Sequence, residues 1–194
     1  EEKWDKLIEV WVMKNQHSYF KQGISWSKIS SGDFSVRYSP QGYIFTDAGS
    51  KVFTSDDKVK YLTGNLNACS VNNFLKILSP TLNYEQGNIK RLPLIFPEQN
   101  KINEVDKLVD SCIEISKYEW DSRENSLDFL QNELIKHKAQ ELEEGYDLYK
   151  YYWENKFYQL HKNEEELNRK FIKIDGLEDE LTPNVSFKKI TILK

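Results

Sequence analysis

The sequence predicts an α+β protein in which a small β-rich unit with short helices precedes a region of long helices. Apolar and aromatic residues alternate between closely spaced turn residues over positions 23–54, which is typical of short antiparallel strands. From position 98 onward the apolar residues follow helical spacing instead. We therefore expect an α+β unit over residues 1–97, and a helical region with a C-terminal tail over residues 98–194.

Composition narrows the class of protein. The 194 residues are 39% hydrophobic and 13% aromatic, which supports a real core, and the net charge of −4 argues against a uniformly basic nucleic-acid binder. Residues 1–97 carry 12 basic and 9 acidic side chains, whereas residues 98–194 carry 15 and 22. This asymmetry indicates separate tasks for the two halves.

Cysteine, histidine and hydropathy patterns exclude several further classes. Two cysteines and three scattered histidines form neither a disulfide framework nor a zinc-binding spacing. The sequence shows no signal peptide and no apolar run near 18 residues, so we expect a cytoplasmic protein without a membrane span. The chain starts at Glu1 without an initiator methionine, and we expect it to be a fragment of a longer protein.

The first half is predicted to contain an amphipathic helix, a β meander and two short helices. The N-terminal helix is predicted from the spacing of Trp4, Leu7, Ile8 and Trp11. Residues 55–78 give two short helical patterns. Turn sequences at 30–33, 39–42 and 47–49 separate the predicted strands. These strands contain Ile24, Trp26 and Ile29; Phe34, Val36 and Tyr38; Tyr43, Ile44 and Phe45; and Val52 and Phe53.

The second half is predicted to be mainly helical. Residues 98–118 form a strong amphipathic pattern, and a shorter helix is expected through Leu127, Leu130 and Leu134. Residues 139–171 carry a heptad-like aromatic seam that should pack antiparallel against a preceding helix, while Glu164 and its acidic neighbours should face solvent. A last strand is expected at 190–193. The predicted seam consists of Leu142, Tyr146, Tyr149, Trp153, Phe157, Leu160, Leu167 and Phe171.

Residues 79–97 join the two halves and combine a polar loop with a short apolar segment. Asn83, Gly87 and Asn88 favour turns, and the apolar residues from Ile89 to Phe96 predict a strand. Pro93 and Pro97 cannot donate to a β-ladder, which places this strand at a sheet edge. One interpretation is a surface loop with an edge strand; the other is a loop that binds an anion such as a nucleic-acid backbone.

Common catalytic motifs are absent from the sequence. It contains no glycine-rich phosphate loop, no G-x-S-x-G, no H-E-x-x-H and no zinc-finger spacing. No D/E-x-K nuclease cluster stands out. We therefore interpret the chain as a binding or positioning module without catalytic residues or a metal site.

Five sequence blocks resemble a known family. W-S-K-I-S-S-G-D-F-S-V-R-Y-S-P-Q-G-Y-I-F-T-D-A-G and L-S-P-T-L-N-Y-E-Q-G-N-I-K-R-L-P-L are the longest in the first half. With L-T-G-N-L-N, I-S-K-Y-E-W-D-S-R-E and E-L-N-R-K-F-I-K-I-D-G-L-E-D-E-L-T-P, they resemble the target-recognition and C-terminal helical region of PglX-type proteins. These are adenine-specific DNA methyltransferases of BREX phage-defence systems. Ala68 and Cys69 depart from the family's L-N-S element, and the family's methyl-donor loop and N-P-P-Y/F motif are absent.

The resemblance implies a division of labour within a longer restriction-modification or phage-defence protein. An upstream domain of the same polypeptide would bind S-adenosylmethionine and methylate adenine at N6. This segment would hold no cofactor and would position double-stranded DNA. Other defence-system proteins are further expected partners. The alternative is that the acidic helical half serves as a protein-docking scaffold within the same defence complex.

Candidate DNA contacts are assigned by residue type. Cationic side chains suit phosphates, and hydroxyl and amide side chains suit base edges. The predicted phosphate contacts are Lys28, Arg37, Lys51, Lys90 and Arg91. The predicted base-reading residues are Ser30, Ser31, Thr81, Asn83, Tyr84, Gln86 and Asn88.

Overall fold

A computed structural model describes residues 15–192, and within that range the α+β prediction is confirmed. A three-stranded antiparallel sheet has strand β1 (Gly23–Ser27) at its centre, between β2 (Arg37–Ser39) and β3 (Gly49–Val52). Five α-helices follow in the chain. The N-terminal helix predicted from Trp4, Leu7, Ile8 and Trp11 lies outside the described residues.

The sheet packs on the two short helices that the sequence predicted over residues 55–78. Ile24 and Trp26 alternate on the buried face of β1. They pack against helices α1 (Val59–Asn67) and α2 (Cys69–Leu78), which form one core with the sheet. The buried members of this core are Ile24, Trp26, Phe34, Val36, Val59, Leu66, Val71, Leu75 and Ile89.

Strand β2 is shorter than predicted, although Phe34 and Val36 are buried as expected. The side-chain amide of Asn67 accepts a hydrogen bond from Val36 N at 2.9 Å and donates one to Val36 O at 3.1 Å. Because this amide satisfies both backbone groups of Val36, the residue needs no strand partner. Alternation therefore identified the buried side chains and overestimated the length of the strand.

The strand predicted at Tyr43, Ile44 and Phe45 is wrong. Tyr43 O instead accepts a hydrogen bond from Phe20 N at 3.2 Å, outside any ladder. Phe45 packs edge-on against Tyr19 and Phe53, with ring centroids 5.5 and 5.4 Å away. The strand expected at Val52 and Phe53 exists but begins earlier, as β3.

The edge strand predicted after the polar loop is also wrong. Residues Gln86–Ile89 form a short helix, α3, which buries Ile89 in the sheet core. The following residues, including Pro93 and Pro97, lie outside strands and helices. Proline lacks the backbone N–H that a ladder requires, and two prolines four residues apart leave little room for pairing.

Two long antiparallel helices dominate the second half, as predicted. They are α4 (Gln99–Asp121) and α5 (Leu142–Asp175). Lys170 pairs with Glu104 at 2.6 Å near one end, and the rings of Tyr118 and Trp153 lie 6.1 Å apart towards the other. The C-terminal end of α4 therefore lies beside the N-terminal end of α5. Helix α5 ends where Gly176 adopts a left-handed conformation with φ of 69°.

The helix predicted through Leu127, Leu130 and Leu134 is wrong. The connection between α4 and α5 contains only a 3₁₀ turn at Glu133–Lys136 within the described chain. Leu127 and Leu130 are 92% and 93% exposed, so their spacing does not mark a buried face. The first two residues of the predicted α5 seam, Leu142 and Tyr146, are likewise exposed, whereas Trp153, Phe157, Leu160, Leu167 and Phe171 are buried.

A shared core joins the short helices to the long ones. The ring of Tyr61 on α1 is fully buried and lies 5.5 Å from that of Phe171 on α5. Val105 and Val109 of α4 belong to the same cluster. These contacts connect residues on both sides of position 97. The division of the chain into two units at that position therefore stays a prediction.

The C-terminal tail returns across the helices. It contains a 3₁₀ turn at Phe187–Lys189, followed by Ile190 and Ile192, which are buried against α4 and α5. The expected strand at 190–193 is not formed as far as Ile192, and Leu193 lies beyond the described residues. These apolar residues complete a helical core instead of a sheet.

Candidate functional site

Two loops that carry many of the predicted site residues pair with each other. Tyr84 N donates to Lys28 O at 2.7 Å, and Ser30 N donates to Leu82 O at 3.1 Å. Ile29 and Asn83 form an isolated antiparallel bridge between these bonds. We call residues 28–33 and 79–84 the loop pair. It extends the polypeptide beyond the end of β1 as a short two-stranded ribbon.

Aromatic residues anchor the loop pair to the sheet. Trp26 Nε1 donates to Tyr84 O at 2.9 Å, and the ring of Phe34 lies 5.0 Å from the ring of Tyr84. The Tyr84 hydroxyl donates to Gly32 O at 3.1 Å, which links the two loops directly. Partial burial, assisted by the nearby carboxylate of Asp33, raises the pKa of Tyr84. The loop pair is therefore fixed by the core residues beneath it.

Hydroxyl groups fix the turns within the loop pair. Ser30 Oγ accepts a hydrogen bond from Gly32 N at 3.2 Å, and Thr81 Oγ1 accepts one from Asn83 N at 3.3 Å. Accepting these bonds leaves each hydroxyl hydrogen free to donate elsewhere. Ser79 instead donates to Asn83 O at 2.8 Å and is itself buried.

The structure brings together the predicted polar residues more closely than the predicted cations. Gln86 and Asn88 lie on α3, directly after the loop pair. Lys90 and Arg91 follow α3 and are exposed, with no ion-pair partner among residues 15–192. The predicted site residues that lie on the loop pair are Lys28, Ser30, Ser31, Thr81, Asn83 and Tyr84.

Three of the five predicted phosphate contacts have other partners. Lys28 Nζ lies 3.0 Å from Glu85 Oε1, in a partly exposed ion pair. Lys51 is only 8% exposed, donates to Lys21 O at 2.6 Å, and has its pKa lowered by burial. As arranged, the Lys51 ammonium is not presented to a phosphate, so its assignment from residue type stays a prediction without support from the geometry.

Arg37 lies on the sheet rather than on the loop pair. The register pairs Ser25 with Arg37 on one side and with Lys51 on the other, so all three lie in one row across the sheet. The Arg37 side chain is exposed and donates to Val36 O at 3.2 Å. Its charge also lowers the pKa of Glu164 on α5, against the larger effect of burial.

A small depression beside the loop pair contains a basic residue that the sequence analysis missed. Its volume is about 220 Å³. Lys76 lies there with the hydroxyl groups of Ser79, Thr81 and Tyr84. Lys76 belongs to the last turn of α2, three residues before the loop, so its position in the sequence was an available signal. The full lining is Asp33, Asn72, Leu75, Lys76, Ser79, Pro80, Thr81 and Tyr84.

The C-terminal tail also reaches the loop pair. Lys189 Nζ donates to Asp33 Oδ2 at 2.5 Å, and this hydrogen bond lowers the pKa of Asp33. The two residues are 156 positions apart, and sequence spacing gave no indication of the contact. The tail therefore fixes the outer end of the first loop.

Half-buried titratable groups on α4 and α5 were not anticipated. Burial raises the pKa of Glu164 to about 7, although His161 and Arg37 oppose the effect. Burial also raises the pKa of Cys112 to about 12. Glu164 is thus half-buried rather than fully exposed to solvent, which corrects the expectation for this residue in part.

The part of the chain described here was also searched for metal sites and membrane spans. No group of three or more His, Cys, Asp or Glu side chains within residues 15–192 is arranged to hold a metal ion. Over the same residues, no helix combines the length and apolar character needed to cross a bilayer.

Comparison with known proteins shows similarity to part of two curated methyltransferases. No protein-family model matches the chain. It is 37% identical over 179 residues to the adenine-specific methyltransferase PglX of Lacticaseibacillus casei (strain Zhang). It is 31% identical over 175 residues to the adenine-specific methyltransferase BrxX of Escherichia coli O9:H4 (strain HS).

Each match covers 89% of this chain but only 15% and 14% of the respective relative. The chain therefore spans about one seventh of the length of the curated relatives it matches. Over that span it is homologous to adenine-specific methyltransferases. More narrowly, it corresponds to a segment of the PglX type, as the sequence resemblance predicted.

Proposed function

We propose that this chain is a DNA-binding target-recognition segment of an adenine-specific (N6) DNA methyltransferase of a phage-defence system. It positions duplex DNA, while S-adenosylmethionine binding and methyl transfer belong to residues outside this chain. The homology to PglX and BrxX supports the parent enzyme class. The loop pair supports the recognition role, because it gathers polar side chains on a rigid ribbon.

The single observation that carries the proposal is the hydrogen-bonded pairing of the two loops. Residues 50 or more positions apart, such as Lys28 and Tyr84, are held within 2.7 Å at their backbones. A two-stranded ribbon can enter the major groove of B-DNA, where base edges are distinguishable. Recognition needs such preorganisation, since a mobile loop would lose affinity through ordering.

Base reading is assigned to the exposed polar side chains on and after the ribbon. Asn83 and Gln86 are exposed, and each carries an amide that can pair with the N6 and N7 atoms of adenine. The free hydroxyl hydrogens of Ser30 and Thr81 supply further donors. A well-placed bidentate pair discriminates between bases by about 1–3 kcal/mol.

Phosphate contact is assigned first to Lys90 and Arg91. Both are exposed and lack an ion-pair partner in the described part of the chain, so binding costs them no existing interaction. Lys76 and Lys28 flank the same ribbon and are secondary candidates. Residues 15–97 carry nine basic and five acidic side chains, which makes this half the favourable one for a polyanion.

The long helices supply the mechanical connection in this proposal. Tyr61 on α1, Val105 on α4 and Phe171 on α5 share one buried cluster. Such a cluster resists independent movement of its members, because protein cores are close-packed. The helical region would therefore hold the recognition unit at a fixed distance from the methyltransferase domain of the longer polypeptide.

A gel-shift series on mixed-sequence duplexes at 50 and 200 mM salt tests the proposal. The chain should bind at low salt and weaken at high salt, because phosphate contacts release counterions. The double variant Lys90→Ala with Arg91→Ala should lower affinity at low salt by about tenfold or more. A methyl-transfer assay on the chain alone should give no product.

The matched control removes the same charge from the helical half. Lys162→Ala with Lys173→Ala changes two exposed lysines on α5 and should leave duplex affinity within about twofold. Binding too weak to measure at 50 mM salt would contradict the proposal. Equal losses of duplex affinity in the two double variants would show that the affinity depends only on the net charge of the chain.

A further inference from the structure

The end of the helical hairpin presents large apolar side chains to solvent. We call residues 120–151 the hairpin end; they comprise the end of α4, the connection and the start of α5. Leu127, Leu130 and Leu142 are 92%, 93% and 83% exposed. Single exposed apolar residues are normal on proteins, but a concentration of them marks an interaction surface. The other large apolar residues that are exposed at the hairpin end are Trp120, Ile135, Tyr146, Leu148 and Tyr151.

The connection is fixed by polar contacts, with its leucines outside. Glu133 is buried, and its carboxylate accepts hydrogen bonds from Tyr118 Oη at 2.6 Å and Lys136 Nζ at 2.9 Å. Lys117 Nζ donates to Asp128 Oδ2 at 2.8 Å, next to Leu127. This arrangement inverts the usual distribution of polar and apolar groups. Leu127 and Leu130 lie outside these contacts and are exposed to solvent.

The start of α5, which belongs to the hairpin end, combines exposed apolar side chains with acidic ones. An open depression of about 510 Å³ there is lined by Leu148 and Tyr151 together with four carboxylates. The carboxylates are those of Glu141, Glu143, Glu144 and Asp147. We call these four carboxylates the acidic rim. Apolar side chains in the centre and charges at the rim are the usual layout of a protein-binding surface.

We propose that the hairpin end is a docking site for a basic amphipathic helix of a partner protein. Apolar side chains on one face of such a helix would contact Leu148, Tyr151 and the connection leucines, and its lysines or arginines would face the acidic rim. Charge complementarity selects this occupant. A second copy would bring acidic rim against acidic rim, and DNA would be repelled by the same carboxylates.

The test uses the whole chain and a defined probe. The probe is a fluorescently labelled 18-residue helical peptide with leucines on one face and lysines on the flanks. Its control peptide keeps the leucines and replaces every lysine with glutamate. Fluorescence anisotropy at 50 and 300 mM salt should show micromolar binding of the lysine peptide, weaker at high salt, and at least tenfold weaker binding of the glutamate peptide.

Two double variants locate the site. Leu127→Ser with Leu130→Ser, and separately Leu148→Ser with Tyr151→Ser, should each weaken lysine-peptide binding by about tenfold. Ile77→Ser is the matched control, since Ile77 is an exposed apolar residue on α2. Circular dichroism checks that each variant retains its helices.

Four results would overturn the inference. The first is no binding of the lysine peptide, and the second is lysine-peptide binding that all variants share with the wild type. The third is a concentration-dependent dimer in sedimentation that the leucine variants abolish, which would identify a second copy as the occupant. The fourth is loss of duplex affinity in the same variants, which would assign the surface to DNA.

Discussion

The indole nitrogen of Trp26 donates a 2.9 Å hydrogen bond to the backbone carbonyl of Tyr84, 58 positions further along the chain. Trp26 is a buried strand residue, and Tyr84 ends the second loop of the loop pair. This bond therefore transmits the position of the sheet core to the loops that we propose to contact DNA. Its removal should affect the candidate site before the rest of the fold.

Trp26→Phe should lower both stability and duplex affinity. The substitution keeps an aromatic ring but leaves Tyr84 O without its donor, which costs about 1–3 kcal/mol in the free energy of unfolding. Denaturant unfolding and duplex titration below the transition measure the two effects. Trp120→Phe is the control, because Trp120 is half-exposed on α4, and it should change stability by less than about 0.5 kcal/mol. Identical stability and affinity in Trp26→Phe and wild type would contradict this role.

Gly64→Ala should destabilise the junction between the short and long helices. A Cβ at position 64 would lie 2.7 Å from Val109 Cγ2 and 3.3 Å from Phe171 Cε2, inside the shared core. Overpacking of this kind costs about 1–3 kcal/mol. Denaturant midpoints provide the measurement. Gly87→Ala on α3 is the matched control, since nothing lies within 4 Å of its Cβ position; an equal loss in both variants would refute the packing explanation.

Glu164→Gln should change the pH dependence of stability. Burial raises the folded-state pKa of Glu164 to about 7, above its ordinary value of 4.5. Below pH 4.5 the group is neutral in both states, so it carries no penalty. As the pH rises from 4.5 to 7, the Glu164 carboxyl ionises in the unfolded state before it does in the folded state. The free energy of unfolding therefore falls by at most ~3 kcal/mol.

The Glu164→Gln variant should therefore gain stability relative to wild type at pH 8 and little at pH 4.5. Free energies of unfolding from urea titrations at these two pH values test it. Glu114→Gln on the exposed side of α4 serves as the control and should keep the wild-type slope. Parallel pH profiles for Glu164→Gln and wild type would show that this carboxyl ionises normally in the folded protein.

Lys51→Met should leave the salt dependence of duplex binding unchanged. Lys51 is buried and donates to Lys21 O, so it is not available to a phosphate. Lys90→Ala, which removes an exposed cation, should instead reduce the slope of log affinity against log salt by about 0.9. Fluorescence anisotropy at four salt concentrations measures both slopes. A reduced slope for Lys51→Met would restore the assignment made from residue type.

Periodicity predicted the helices well because long helices bury a repeating face. Val105, Val109, Trp153 and Phe157 all lie in the core at the expected positions. The same spacing misled at Leu127 and Leu130, because a short apolar repeat shows neither that a helix forms nor that its side chains become buried. Sequence alone therefore predicted the two long helices, and the structure determines which apolar residues are covered.

The candidate site was predicted less completely than the fold. Polar residues near turns, such as Thr81 and Asn83, were found because loops carry such residues. Their anchor Trp26 was assigned to the strand, but its bond to Tyr84 depends on tertiary structure that no local pattern encodes. The burial of Lys51 could not be predicted for the same reason, since it follows from packing around the sheet.

Photo-crosslinking of the chain to a duplex containing 5-bromodeoxyuridine tests the central proposal most directly. Mass spectrometry of the crosslinked peptides should place the attachment sites within residues 28–33 and 79–91, and Lys90→Ala with Arg91→Ala should reduce their yield. Crosslinks confined to α4 and α5 would contradict the account. The account would also be contradicted if no crosslinks formed at a DNA concentration that saturates a gel shift.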